Sequence, residues 1–454
     1  MKILIKLLAL SGLLFCLGCS EEFLDKKPDK ALVVPTTLDD LQALLDAVPD
    51  GMNTAPGIQV IAADDFYYSA ANLDALSEIE RNSYLWEENI YQGLSVSDWN
   101  EPWRCIFYSN IVLETLAKIV PDAGSLQQWN TLRSSALFFR AMALYNLTQV
   151  FAAPYEKSLA GSLPGIPVRL TSEVNEIVGR GTLQQTYDQV INDLIEAEPS
   201  LPGLVTYTNR PSQAAVRALL ARIYLSMEEY EKAAQMASGC LDLHNTLLDY
   251  NTLNPQATRP FPVMFSGLNP EIILHLSLVG RSFFNSTLTG VDSSLYRSFH
   301  TDDLRKTCFF RDRGNEVMGF KGSYLGSATL FGGLATDEIY LIHAECNARM
   351  GNYGVAVSDL NTLLASRFKT GTFKPLVVND GQVLETVLLE RRKQLVARGL
   401  RWSDIRRLNR DVRFAVDLER NVDGKVIRPA NDNRFVFPIP DTEINFSGIL
   451  QNPR

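Results

Sequence analysis

Residues 336–364, TDEIYLIHAECNARMGNYGVAVSDLNTLL, read as helix, turn, helix. Ile339, Ile342, His343, Cys346 and Met350 fall at i, i+3, i+4, i+7 and i+11, which aligns them along one face of an α-helix. Gly351-Asn352 closes that helix, because both residues accept the left-handed backbone of a helix end. Tyr353, Ala356, Val357, Leu360, Leu363 and Leu364 then repeat the spacing. Two short amphipathic helices on a tight turn must bury their stripes against each other and against a neighbour. Residues 383–409, VLETVLLERRKQLVARGLRWSDIRRLN, carry a second pair of the same kind.

The neighbour is found by sliding the chain along itself. An offset of 123 residues places Ala221 on Ala344, Met227 on Met350, Tyr230 on Tyr353, Ala233 on Ala356 and Leu241 on Leu364. Alanine at a helix crossing lets backbones approach, and a tyrosine after the turn fills the wedge between helices. This is the packing of tetratricopeptide-like repeats, so the expected fold is mainly α, a helical repeat scaffold with irregular blocks.

With 454 residues, 46% of them hydrophobic, the chain can bury a large core. Its net charge of −9 is dispersed and leaves no basic run for nucleic acid. Met1 to Gly18 has the form of an export signal, with Lys2 and Lys6 ahead of an apolar run from Leu7 to Leu17. The Gly18-Cys19 junction resembles that of a bacterial lipoprotein signal, although Cys16 stands where leucine is usual, and an ordinary signal-peptidase site nearby is the alternative. Cys19 is therefore the expected lipidation site, and residues 19–30 the tether. The folded body is expected as one domain over 31–454, with parts at about 31–243 and 244–454. Cys105, Cys240, Cys308 and Cys346 are too scattered for a metal cluster. Cys346, on an apolar stripe, reads as a small hydrophobe, and a disulfide stays open in an exported protein.

Helices are expected over 37–47 with Thr37 as cap, 101–118, 128–150, 182–198 and 217–241. Residues 49–100 lose periodicity and gain aromatics, and 154–170 form a surface insertion. Residues 244–333 are loop-rich with short strands, and 434–454 are extended.

Seven segments, in order, resemble the SusD/RagB outer-membrane nutrient-binding lipoproteins. They are CSEEFLDKKP from Cys19, WRCIFYSNIVLETL from Trp103, LRSSALFFRAMALYNLTQVFAAPY from Leu132 with GIPVRL after it, and RPSQAAVRALLARIYLSMEEYEKA from Arg210. LIHAECNARMGNYGVAVSDLNTLL from Leu341, LLERRKQLVARGLRWSDIRRL from Leu388 and FPIPDTEINFSGILQNP from Phe437 complete the series. The resemblance implies about four helix pairs, with irregular blocks on one side. It also implies a SusC-like, TonB-dependent β-barrel transporter as partner, over which the protein sits as a lid. The chain would then be lipid-anchored in the outer membrane through Cys19, facing the exterior and taking up glycans or other oligomers, with no cofactor.

A sugar offers flat C–H faces and a rim of hydroxyls, so its site needs aromatics for stacking and Asp, Asn or Arg for hydrogen bonds. Asp65, Trp86, Trp99 and Asn100 supply those types in the region where the family places ligand contacts. Tryptophan also buries readily, so packing is the competing expectation for both. Glu390 and Arg391 read as structural: Arg391 falls on the stripe of Leu384, Leu388 and Leu395 and is expected to tie the last helices to loop carbonyls. Asp404 with Arg401 or Arg407 reads as helix-end electrostatics. No HExxH or GxSxG occurs, and His343 reads as a core histidine. The expected activity is binding, not catalysis. A surface glycoside hydrolase, or a scaffold that binds only proteins, are the rival readings.

Overall fold

The structure, a computed structural model, describes residues 35–48, 51–263, 269–430 and 432–454. The export signal, Cys19 and the tether lie outside the described residues. The scaffold helices are α1 (Leu38–Leu45), α2 (Ser97–Leu116), α3 (Leu126–Phe151), α4 (Leu183–Ala197), α5 (Gln213–Ser226), α6 (Tyr230–Leu243), α7 (Thr336–Arg349), α8 (Tyr353–Ala365), α9 (Asp380–Gln394) and α10 (Arg401–Leu408). Helix α1 starts where expected: Thr37 accepts from the Asp40 N–H while the Asp40 carboxylate takes the Thr37 N–H, closing a capping box.

The helices pack in sequence order, α2 on α3, α3 on α4, α5 on α6, and α7 on both α6 and α8. The two repeats found by self-comparison are therefore neighbours in space. Their first helices even end alike. The Gly351 N–H reaches the Ala348 carbonyl and the Asn352 N–H the Asn347 carbonyl, and Glu228 and Glu229 repeat these bonds to Leu225 and Tyr224. This is the Schellman closure, which requires a left-handed residue. That residue is Gly351 at φ 82° in one repeat and Glu228 at φ 62° in the other.

Helices α2, α3 and α4 are locked by a polar core. Arg140 grips both oxygens of Asp193 at 2.8 Å and reaches Asn110 Oδ1 at 3.1 Å, all three side chains buried. One apolar core runs from Leu41 to Ile449, and a smaller cluster lies between α7, α8 and α9.

Short two-stranded ladders join the irregular blocks to this scaffold. Phe66–Tyr68 pairs antiparallel with Thr289–Val291, Thr54–Ala55 runs parallel to Ser277–Leu278, and Phe310–Asp312 forms a hairpin with Met318–Phe320. Two expectations are corrected. Residues 49–100 contain short helices at Ile58–Ala62 and Glu78–Tyr84, and the C-terminal segment forms a helix, Asp441–Ser447, where an extended run was expected. Its proline, Pro440, sits at the N-cap, where a missing N–H costs nothing.

The four cysteines from 105 to 346 are buried free thiols, Cys346 among them. His343 lies on α7 with Nδ1 2.7 Å from the Asp359 carboxylate of α8. On α9 the buried residues are Val383, Val387, Glu390, Arg391, Lys393 and Gln394; of the predicted stripe Arg391 and Leu395 are buried as expected, while Leu384 and Leu388 are only half-buried. Glu390 accepts from Arg305 and Lys393 at 2.7 Å each. Arg391 donates to the Asp404 carboxylate at 2.9 Å and not to the expected loop carbonyls, so its buried charge is met by an opposite one.

Candidate functional site

Strand Phe66–Tyr68 alternates, with Phe66 and Tyr68 buried and Tyr67 turned out at 36% exposure. Its cross-strand partner is Gly290. A Cβ there would stand 2.3 Å from the Tyr67 ring, so glycine is what allows the tyrosine to lie flat across the ladder. Tyr67 lines two clefts and is the residue they share.

The first cleft, about 390 Å³, is bounded by Asp64, Tyr84, Asp292, Arg392, Arg420 and Asn421 with Tyr67. Its charges are set from the scaffold. Arg401 of α10 holds Asp64 with two bonds of 2.7 and 2.8 Å. Arg392 of α9 lies 3.1 Å from Asp64, 3.3 Å from Asp65 and 3.5 Å from Asp292. The helix-end role expected of Arg401 is corrected by its long-range pair with Asp64. Asp404 keeps Arg407, three residues along α10, and adds Arg391 of α9.

Burial pushes the Asp64 carboxyl up, but Arg401 and Arg392 outweigh it and hold it at about 2. Asp65 has burial as its dominant influence, against Arg392 and with the added repulsion of Asp64, and is raised to about 6. The second cleft, about 620 Å³, is lined by Tyr67, Ser69, Asn72, Leu288, Arg311 and Arg313 among others.

The four expected site residues divide between two places. Asp65 is buried beneath the first cleft and reaches it through Arg392. Trp86 is a correction: with 4% of its surface exposed it has no face for a sugar. Its indole N–H donates to the Ala62 carbonyl at 3.1 Å, and its ring lies 4.8 Å under the guanidinium of Arg420, which lines the cleft. Trp86 sits left-handed at φ 54°, the closing residue of helix Glu78–Tyr84, and burial of the ring offsets that backbone cost.

Trp99 and Asn100 lie elsewhere, on a third cleft of about 230 Å³ with Trp103, Phe107, Ile177 and Phe446. Trp99 is buried edge-on against Phe151 with ring centres 5.0 Å apart, so it too lacks the exposed face expected of it. Asn100 is exposed, and its Nδ2 donates to Ser95 Oγ at 3.0 Å. Sequence reasoning passed over Tyr67, Arg392, Arg311 and Arg313. Three consecutive aromatics at Phe66-Tyr67-Tyr68 were the available signal, since a strand that buries the outer two turns the middle one out.

Residues 22–225 match the SusD-like family described as starch-binding, associating with outer membrane, and residues 336–454 match the SusD family. Together these matches span well over half of the chain. The chain belongs to the SusD/RagB family. SusD-like protein P2 of Formosa agariphila is 22% identical over 378 residues, which is 70% of this chain and 72% of that protein. A SusD superfamily protein from Bacteroides thetaiotaomicron superposes with a TM-score of 0.73 at 22% identity, covering 92% of this chain and 100% of that one. A laminarin-binding SusD-like protein superposes with a TM-score of 0.64 at 17% identity, covering 91% and 97%. The tetratricopeptide-like scaffold is thus the SusD fold.

Proposed function

We propose that the chain binds an oligosaccharide across Tyr67 and delivers it to a TonB-dependent β-barrel transporter. In this reading it is held at the cell exterior by a lipid on Cys19 and acts as the transporter's lid. The observation that carries the binding reading is Tyr67 itself, an aromatic shared by two clefts whose rims carry Asp, Asn and Arg groups. An aromatic platform with hydrogen-bonding groups on both sides matches a chain of sugar rings longer than one unit. Family membership and the laminarin-binding neighbour support a saccharide ligand.

The site acts by binding, not catalysis. Asp64 and Asp65 are engaged by Arg401 and Arg392, which makes them anchors that orient the arginines. No helix among the described residues is long and apolar enough to cross a membrane. Residues 31–454 work in this reading as one domain.

The binding test is titration of oligosaccharides into the purified protein beside a Tyr67→Ala variant of unchanged melting temperature. Equal affinity of the two proteins would overturn the site. For the partner, the lipidated protein is purified from outer membrane in mild detergent. A β-barrel transporter recovered with it supports the lid role, and its absence under conditions that keep other membrane complexes together rejects it.

A further inference from the structure

The two clefts that meet at Tyr67 differ in charge. The first carries Asp64, Asp292, Asp417 and Glu419 beside Arg392 and Arg420. The second carries Arg311 and Arg313, with Asp312 as its one acid. That carboxylate is turned to the hairpin, where it accepts from the Gly314 N–H at 2.7 Å. Glu316 sits on the hairpin turn at φ 63° and does not line the cleft.

Arg259 and Lys321 lie behind the same hairpin, the Arg259 guanidinium donating to the Lys321 carbonyl at 3.5 Å. Among the described residues none of Arg259, Arg311, Arg313 and Lys321 is in an ion pair with a carboxylate. Arg259, Arg313 and Lys321 are each lowered, first by burial, with the charge of Arg311 adding to it. Three of the four cations are tied to backbone: Arg313 clamps the Ser286 and Thr289 carbonyls at 2.6 and 2.7 Å, and Lys321 the Pro255 and Ala257 carbonyls. The guanidinium of Arg311, an exposed residue, has no hydrogen-bond partner among the described residues and is left to face a ligand. In a protein of net charge −9, a cluster of mutually repelling cations costs stability unless something else uses it.

We infer that the oligosaccharide is anionic, with a carboxylate or sulfate group held by Arg311 in the cleft beyond Tyr67. This rests on the glycan-binding reading and narrows it to acidic polysaccharides. A guanidinium meets either anion through two parallel N–H bonds, so the chemistry is shared by uronates and sulfate esters. The acid-lined first cleft takes the adjoining hydroxyl-bearing unit, since carboxylates accept from hydroxyls and repel a second anion.

The test is calorimetric titration of the full mature chain with three oligosaccharides of matched length: a neutral β-glucan, a polyuronate and a sulfated galactan. At least one acidic probe is expected to bind tenfold or more tightly than the neutral one, and to weaken as salt rises. Whichever acidic probe binds identifies the anion. Arg311→Gln, an exposed change that keeps the hairpin clamps, is expected to remove about tenfold of that affinity and most of the salt dependence. Neutral binding that equals or exceeds acidic binding, or acidic binding indifferent to Arg311→Gln, overturns the inference and leaves the glycan reading intact. Failure of all three probes, with Tyr67→Ala also silent across a wider glycan set, overturns both.

Discussion

Arg222 and Glu338 stand 116 residues apart in the chain and meet inside it, Nε at 2.7 Å and Nη2 at 2.5 Å from the two carboxylate oxygens. Arg222 belongs to α5 and Glu338 to α7, and Arg222 also donates to the Gly333 carbonyl at 2.8 Å. The pair is the polar pin between the two matched repeats. Both charges are inside, so deleting one strands the other. Glu338→Ala is expected to cost about 3–5 kcal/mol in urea unfolding, and the double change Arg222→Met with Glu338→Leu to recover much of the loss. A single-variant cost below about 1 kcal/mol would show the pair to be unimportant.

Acid should loosen the scaffold two turns further along α7, at Glu345. Burial pushes the Glu345 carboxyl up, but the guanidinium of Arg407, with those of Arg349 and Arg391, outweighs it and holds it at about 2, below the 4.5 of a free glutamate. A depressed folded value means stability that is complete above about pH 4.5 and lost as pH falls toward 2. At 1.36 kcal/mol per unit this is about 3 kcal/mol. Asp65 has the opposite sign. Raised from 3.8 to about 6, it favours the folded chain most below pH 3.8, and that contribution is lost as pH rises through 6. Unfolding free energies measured from about pH 2 to 7 should show both limbs, and Asp65→Asn should remove only the upper one.

Tyr67 and Gly290 should behave as one unit. Gly290→Ala places a methyl 2.3 Å from the ring, so the tyrosine must lift from the ladder. Saccharide affinity is expected to fall about as far as in Tyr67→Ala, and the double variant to be no worse than either single one. Trp86→Phe should act differently, lowering melting temperature through the lost Ala62 bond. Additive losses in the Tyr67 and Gly290 double variant would separate the two residues.

The repeats were legible because their signal is local. Helical periodicity around Tyr230 and Tyr353, and the Gly351-Asn352 turn ahead of α8, need no knowledge of distant chain. The face of α9 was legible at Arg391 and Leu395 but not in its first turns, where Val383 and Val387 bury in place of Leu384 and Leu388. Glu390 and Arg391 bury only as members of pairs whose partners, Arg305 and Asp404, the pattern of leucines does not reveal. The site was harder still. Tyr67 meets Gly290, and Arg392 meets Asp65, across more than two hundred residues, and no local periodicity encodes a ladder three residues long. Tryptophan suits sugar stacking, yet Trp86 and Trp99 are used as core material, as their size equally allows.

The repeat turns give a test of sign. Glu228 occupies the left-handed closing position that Gly351 occupies in the second repeat, at φ 62° against 82°. A side chain at such a φ costs roughly 1–2 kcal/mol, a cost glycine does not carry. Glu228 has one compensation, a half-exposed contact with Arg410 at 3.4 Å, and such pairs contribute about 0–1 kcal/mol. Glu228→Gly is therefore expected to be neutral to stabilising by about 1 kcal/mol. Gly351→Ala should destabilise by about 1 kcal/mol, although nothing lies within 4 Å of the added methyl. Because that space is open, a loss at Gly351 can only be backbone strain. Equal and opposite shifts in unfolding midpoint at the two positions would establish that the repeats share one turn, and a loss at Glu228→Gly would show that its ion pair outweighs the strain.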